Sequence, residues 1–408
     1  MKQSGKTELY RRVAAPLLLL ILLAAGGFAL YAAGNDAVGA ALEFDLWENR
    51  LNPGGLQSSV EKSMRSNLPK QTANRVYSAA LVAQGRRTSG DFYILKDDEG
   101  FLHRTNLYQA VDPDVMEYAQ RLERLSAAAQ KAGAPVLFVG ASGKLTPGVS
   151  QFPDGYAPDY ASLRNLDELF IDLLAVGVDT LDLRQSFLEA PLAYDAYYYR
   201  TDVNWTARAA QFAAGSIAQR VEELSGLRFD PSGRAADPAR YEETLYPGLL
   251  LGNEGRASGL YWSGTDDFVT LTPSFSTDLT VELTDESHHE TSRRGTFDQT
   301  ILDLTAVDEL AGAPGNLFPI YYGKRTARVE IENHRLPEGA RVLLVCDENF
   351  FSTAAYLALM CAQVDAVQIS TNSPEQVERM VSGGGYDCIV VACQSQSIGA
   401  EMFPFFAE

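Results

Sequence analysis

Only histidine ordinarily gains and loses a proton near neutrality, and this 408-residue sequence holds four of them: His103, His288, His289 and His334. None stands in a motif that supplies a partner. His288 and His289 fall in Asp285-Glu286-Ser287-His288-His289-Glu290, a polar run that reads as an exposed turn. His103 and His334 each lie beside a charged or turn residue. Cys388 and Cys393 are spaced C-x4-C without a nearby histidine, a poor pattern for zinc. With Cys346 and Cys361 they read as small buried apolar side chains, one disulfide staying open for an oxidising compartment. Gly383-Gly384-Gly385 follows a helix and precedes a strand, the reverse of a phosphate loop, so it reads as a helix stop. Tyr197, Tyr198, Tyr199, Tyr321 and Tyr322 could stack on a sugar, but core packing is the commoner use of such rings. Two acidic sites remain: Asp202 with Asn204 and Trp205, and Asp347-Glu348 at the end of an apolar run.

The elements around these residues alternate. Asp112 and Pro113 read as the cap and first position of a helix that Gly133 ends, and the apolar run from Pro135 to Ser142 reads as a strand covered on both faces. A helix over 163–176, a strand over 178–183 and a helix over 206–225 repeat the pattern. Further strands are expected over 341–347, 363–370 and 386–397, separated by a helix over 352–362 and one capped by Ser373 with Pro374. Such alternation implies a layered α/β domain with a mostly parallel sheet. The stretch from about 246 to 331 instead shows period-two alternation, the mark of an antiparallel insert.

Residues 13–33 hold no charged side chain, and 21 such residues suffice to cross a bilayer core of ~30 Å. Lys2, Lys6, Arg11 and Arg12 against Glu8 keep residues 1–12 in the cytoplasm, so everything after the span is expected outside the cell membrane. A cleavable signal peptide is the competing reading, although its apolar region is usually only about 7–15 residues long. Residues 34–84 read as a stalk and 85–408 as the folded body. The net charge of −19 becomes −22 beyond residue 33, which argues against nucleic acid as a partner.

Tyr199-Arg200-Thr201-Asp202-Val203-Asn204-Trp205-Thr206, followed by a helix, resembles the signature of bacterial DHHW proteins and the related AlgX/AlgJ polysaccharide O-acetyltransferases. The resemblance includes Glu48-Asn49-Arg50, Gly143-Lys144, Gly295-Thr296-Phe297-Asp298, Val329-Glu330-Ile331-Glu332-Asn333 and the strand leading to Asp347. It implies an SGNH-hydrolase-like three-layer α/β/α domain. It also implies a triad in which an imidazole, oriented by an Asp, takes the proton of a nucleophilic Ser. Asp202 and Trp205 keep the family's places, but Asn204 stands where the family has His and Glu348 where it has Ser.

An amide cannot relay a proton near neutrality, so the resemblance implies a pseudoenzyme associated with cell-surface polysaccharide O-acetylation or export, beside a membrane-bound O-acyltransferase. Asp202, Asn204, Trp205, Asp347 and Glu348 are then the expected ligand-binding set, with Ca²⁺ the cation that such acceptors suit. The alternative is an active enzyme: an O-acetyltransferase using Ser352 with His288 or His289 as base, or a hydrolase or esterase using Asp202 and Glu348.

Overall fold

The computed structural model describes residues 70–407, apart from 91–92, 105–110, 146–149, 153, 155–159, 191–193 and 324–325. The expected membrane span, Glu48-Asn49-Arg50 and most of the stalk lie outside the described residues. Among the described residues no helix is long and apolar enough to cross a membrane. The chain divides into two units, residues 1–80 and 81–408. The first contributes most of a helix, Lys70–Ala83; all that follows concerns the second.

That unit opens with a small antiparallel sheet of β1 (Thr88–Ser89), β2 (Ile94–Lys96) and β3 (Leu102–Arg104). Then come α1 (Val115–Lys131), β4 (Val136–Ala141), α2 (Ala161–Val176), β5 (Asp179–Asp182), α3 (Leu183–Glu189) and α4 (Ala207–Ser225). β6 (Tyr241–Leu250) and β7 (Asp266–Pro273) pair with each other, and α5 (Asn253–Ser258) lies between them in the chain. β8 (Leu279–Asp285), β9 (Glu290–Gly295), β10 (Thr326–Asn333) and β11 (Arg341–Cys346) follow. The chain closes through α6 (Glu348–Phe351), α7 (Thr353–Leu357), β12 (Gln363–Gln368), α8 (Pro374–Gly383) and β13 (Cys388–Gln394).

The main sheet has the order β5-β4-β13-β11-β12-β10-β8-β9. Its first five strands are parallel and its last three antiparallel. Successive side chains of a strand point to opposite faces, so a strand covered on both faces must be apolar throughout. Leu137, Val139, Leu344 and Val390 accordingly join one core with α4 and α7. Val136, Phe138, Val345 and Val391 join the other, with α1, α2 and α8. This is the expected three-layer arrangement. The antiparallel part begins at Tyr241, earlier than the expected 246.

All four cysteines are buried and free, as small apolar side chains. The expected helix over 352–362 starts instead at Glu348, where Asp347 caps the backbone N–H groups of Asn349 and Phe350, and is divided into α6 and α7, the latter ending at Leu357. Asp112 is not the cap of α1; it accepts from Asp114 N and the Tyr118 hydroxyl, and the helix begins at Val115.

Candidate functional site

Ligand sites of open α/β sheets lie beyond the carboxyl ends of the strands. Here those ends carry Gly143-Lys144 after β4, Asp347-Glu348 after β11 and Gln394 to Ser397 at the end of β13. The segment from Tyr199 to Thr206 crosses the same end before Thr206 caps α4 by accepting from Ala209 N.

Asp202 is fully buried. Its Oδ1 accepts from Asn204 N and Asn204 Nδ2, both at 2.9 Å, and its Oδ2 from Asn253 N at 2.6 Å. Burial and nearby Glu254 raise its pKa to about 6, against the pull of the two backbone N–H groups and Lys144. Gly252 makes the close approach to Asn253 possible, because a Cβ there would lie 2.4 Å from both Asp202 Cβ and Thr201 O. Thr201 is held in turn by buried Asp266, which accepts from its N–H at 2.7 Å and its hydroxyl at 2.6 Å. Lys144, also buried, donates to the carbonyls of Asp202 at 2.7 Å and Arg200 at 3.1 Å. Trp205 packs edge-on between Phe187 and Phe350, with ring centroids at 5.9 and 4.6 Å.

Asp347 is also buried. It accepts from Asn349 N, Phe350 N, Gln394 N and Ser397 Oγ, so this carboxylate ties β11 to α6 and β13. Burial raises its pKa despite these donors. Glu348 behaves differently: it reaches the surface and accepts no hydrogen bond among the described residues. Partial desolvation and the Asp347 charge push its carboxyl up, opposed by Arg256 and Arg104.

Asn204, Trp205, Glu348, Asn349 and Ser352 line a cavity of about 540 Å³. Asn204 and Glu348 are thus brought together as expected, whereas Asp202 and Asp347 are not in its wall. The expectation that all these acceptors surround one cation is corrected by their partners: protein N–H and O–H groups already occupy both aspartates. Among the described residues no group of three or more His, Cys, Asp or Glu could hold a metal ion.

Ser352 Oγ donates to Asn349 O at 3.4 Å and meets no imidazole. His288 and His289 form the β8–β9 turn, where Asp285 accepts from His289 N and approaches its exposed ring, and neither lines the cavity. His334 meets Thr280 Oγ1 at 2.8 Å. The expected core role of the tyrosines holds for Tyr197, Tyr198, Tyr199, Tyr321 and Tyr322, all buried.

His103, to which the sequence assigned no partner, is the exception. It is 2% exposed, and its Nε2 lies 2.8 Å from Asp97 Oδ2. Its signal was the short turn between two strand-like runs, which lays residues on either side of the turn next to each other. His103 lines a second cavity of about 230 Å³, together with Lys144, Gln394 and, from the wall it shares with the first, Glu348 and Asn349.

A parallel sheet extended by antiparallel strands, with Asp202, Asp347 and Glu348 on segments at its carboxyl end, has an SGNH-hydrolase-like α/β fold. Residues 98–253 match the family described as "SGNH hydrolase-like domain, acetyltransferase AlgX". The fold is similar to PatB1 of Bacillus cereus, with a TM-score of 0.61 and 18% identity over 76% of this chain and 99% of that one. It is also similar to a DHHW family protein of Eubacterium siraeum, with a TM-score of 0.57 and 14% identity over 77% and 95% of the two chains. None of the curated protein sequences matches the chain.

Proposed function

We propose that this is a membrane-anchored, extracytoplasmic relative of the AlgX-type acetyltransferases that binds hydroxyl-rich cell-surface polysaccharide without acylating it. It would serve polysaccharide O-acetylation or export, next to a membrane-bound O-acyltransferase. One observation carries the reading. Asn204, which the resemblance sets at the place of the family's imidazole, donates an amide N–H to Asp202, and Glu348, which it sets at the place of the family's Ser, lines the same cavity as Asn204. An amide cannot take a proton from a nucleophile at neutral pH, and a carboxylate cannot form the family's acyl-serine. The cavity offers amide, indole and carboxylate groups, which suit sugar hydroxyls.

The alternative, an active O-acetyltransferase or esterase, draws on Ser352 lying in the same wall. Acetyl-transfer and esterase assays on the purified protein separate the two readings. No turnover above background is expected; turnover abolished by Ser352→Ala would reverse the conclusion.

A further inference from the structure

β6 and β7 form a two-stranded ribbon whose long edges meet different surroundings. In an antiparallel pair, residues that exchange N–H···O bonds alternate with residues whose N–H and C=O point away from the partner strand. Ser274 N donates to Arg240 O at 2.8 Å, one step beyond the Tyr241–Pro273 pair. Counted along the register from there, Glu242–Thr272, Thr244–Thr270 and Tyr246–Phe268 are the bonded pairs. Glu243 and Leu245 on β6, and Val269 and Leu271 on β7, therefore aim their backbone groups outward. The Tyr356 hydroxyl, which donates to Leu271 O at 3.4 Å, agrees with that count.

The β7 edge is buried, Val269 and Leu271 included. The β6 edge faces solvent: residues 242–245 are all exposed, Leu245 by 54%. Among the described residues, nothing outside the ribbon bonds the N–H or C=O of Glu243 or Leu245. These open groups complement a copy of themselves. Turned about a two-fold axis through Thr244, β6 meets a second β6 antiparallel, with Glu243 opposite Leu245 and Glu242 opposite Tyr246. Both open positions then become bonded pairs, and four N–H···O bonds use every open group of both copies.

The side chains fit the same register. No carboxylate stands opposite a carboxylate, and Arg208 already balances Glu243 within its own copy, with both bonds at 2.7 Å. The two Leu245 side chains become diagonal neighbours on one face. The ladder also stops itself at either end, because Tyr241 N–H is spent on Pro238 O and Pro247 has no N–H.

We propose that the β6 edge is the interface of a two-fold dimer of this chain, joined as one four-stranded sheet in the order β7-β6-β6-β7. The pairing is closed, since it consumes the open edge of each ribbon, and so it yields pairs and not chains of copies.

The test follows the full-length protein in mild detergent by sedimentation over a range of concentrations, and joins it to cross-linking. A monomer–dimer equilibrium is expected. Leu245→Pro removes an N–H that the folded monomer does not use, and is expected to weaken the dimer about tenfold or more. If that variant unfolds, Leu245→Glu, which sets a carboxylate opposite Glu243 of the second copy, is expected to weaken it similarly. Thr244→Cys places one thiol on each side of the axis, in a pair whose Cα atoms are about 4.5 Å apart, so mild oxidation should give a covalent dimer. The four native cysteines are buried and do not compete, and Leu174→Cys, at an 80% exposed position elsewhere, should not cross-link comparably. A monomer at every concentration, or a dimer unchanged in the folded Leu245 variants, would overturn the proposal. Cross-linking of Thr244→Cys in cell membranes to a different protein would overturn the second copy as occupant and give the edge to another extended chain.

Discussion

Two aspartates in this molecule hold a nitrogen-bearing side chain in nearly the same way, and their difference locates what chemistry is left. Asp202 accepts from Asn204 Nδ2 and from two backbone N–H groups; Asp97 accepts from His103 Nε2 and, likewise, from two backbone N–H groups. Both pairs are buried at the same end of the domain. The first falls where the resemblance to the AlgX/AlgJ proteins sets an Asp and a His, but it ends in an amide that cannot titrate. The second joins Asp97, from the turn after β2, to His103 of β3, and ends in an imidazole whose Nδ1 has no hydrogen-bond partner among the described residues. A carboxylate that orients a neighbour is thus as much a device of folding as of catalysis; only the group oriented decides which.

The strongest way to break the comparison is to remove the carboxylates. Asp97→Ala strands His103 Nε2 and two backbone N–H groups in the interior, and is expected to lower stability in urea unfolding by about 4 kcal/mol. A loss below about 1 kcal/mol would mean that the pair does not hold the turn.

The next effect is a pH dependence. Asp202 has its pKa raised to about 6 from 3.8, so between these values the folded state holds a proton that the unfolded state lacks. Its contribution to stability is therefore greatest below pH 4 and falls as pH rises through 6, by about 3 kcal/mol in total. Asp347 and Glu348, also raised, act in the same direction. Unfolding measured at pH 5 and pH 7 should show a shallower fall in Asp202→Asn than in the wild type. Identical slopes would assign the effect elsewhere.

A smaller effect tests the chemistry directly. Asn204→His alone should stay inert toward 4-nitrophenyl acetate, whereas Asn204→His combined with Glu348→Ser restores base and nucleophile, for a gain of about tenfold or more. Equal activity in wild type and double variant would show that more than two groups separate this site from a working one. The least effect is expected of Ser352→Ala, whose one side-chain hydrogen bond among the described residues is long: within about 0.5 kcal/mol in stability.

The parallel half of the sheet was legible because both its faces are covered, so β4, β11 and β13 are unbroken apolar runs that nothing else resembles. The start of β6 was not: Tyr241-Glu242-Glu243-Thr244 is largely exposed, and its pairing with β7 is what makes it a strand. α3 went unseen because it is short and follows β5 without a loop, Asp182 closing the strand and capping the helix by accepting from Arg184 N. At the site, residue types were readable but their partners were not. Asp202 and Asp347 looked like ligand acceptors because a sequence does not show which backbone N–H groups a chain crossing or a helix start will aim at them. The Asp97–His103 pair was hidden for the same reason, since its members meet only through the register that sets Leu95 opposite His103.

The outer rims of the main sheet bear on how this molecule shares a surface with neighbours. β5 at one rim carries Asp179, paired with Arg220 at 3.2 Å, and Asp182, paired with Arg184 at 2.7 Å. β9 at the other carries Arg293 and Arg294, paired with Asp303 at 3.4 Å and Asp278 at 3.6 Å. A strand rim offers a row of unsatisfied N–H and C=O groups to any passing extended chain, and ionic side chains make such an addition unfavourable. Both rims of this sheet are guarded in that way, so crowding many copies together would not by itself stitch them edge to edge into fibrils.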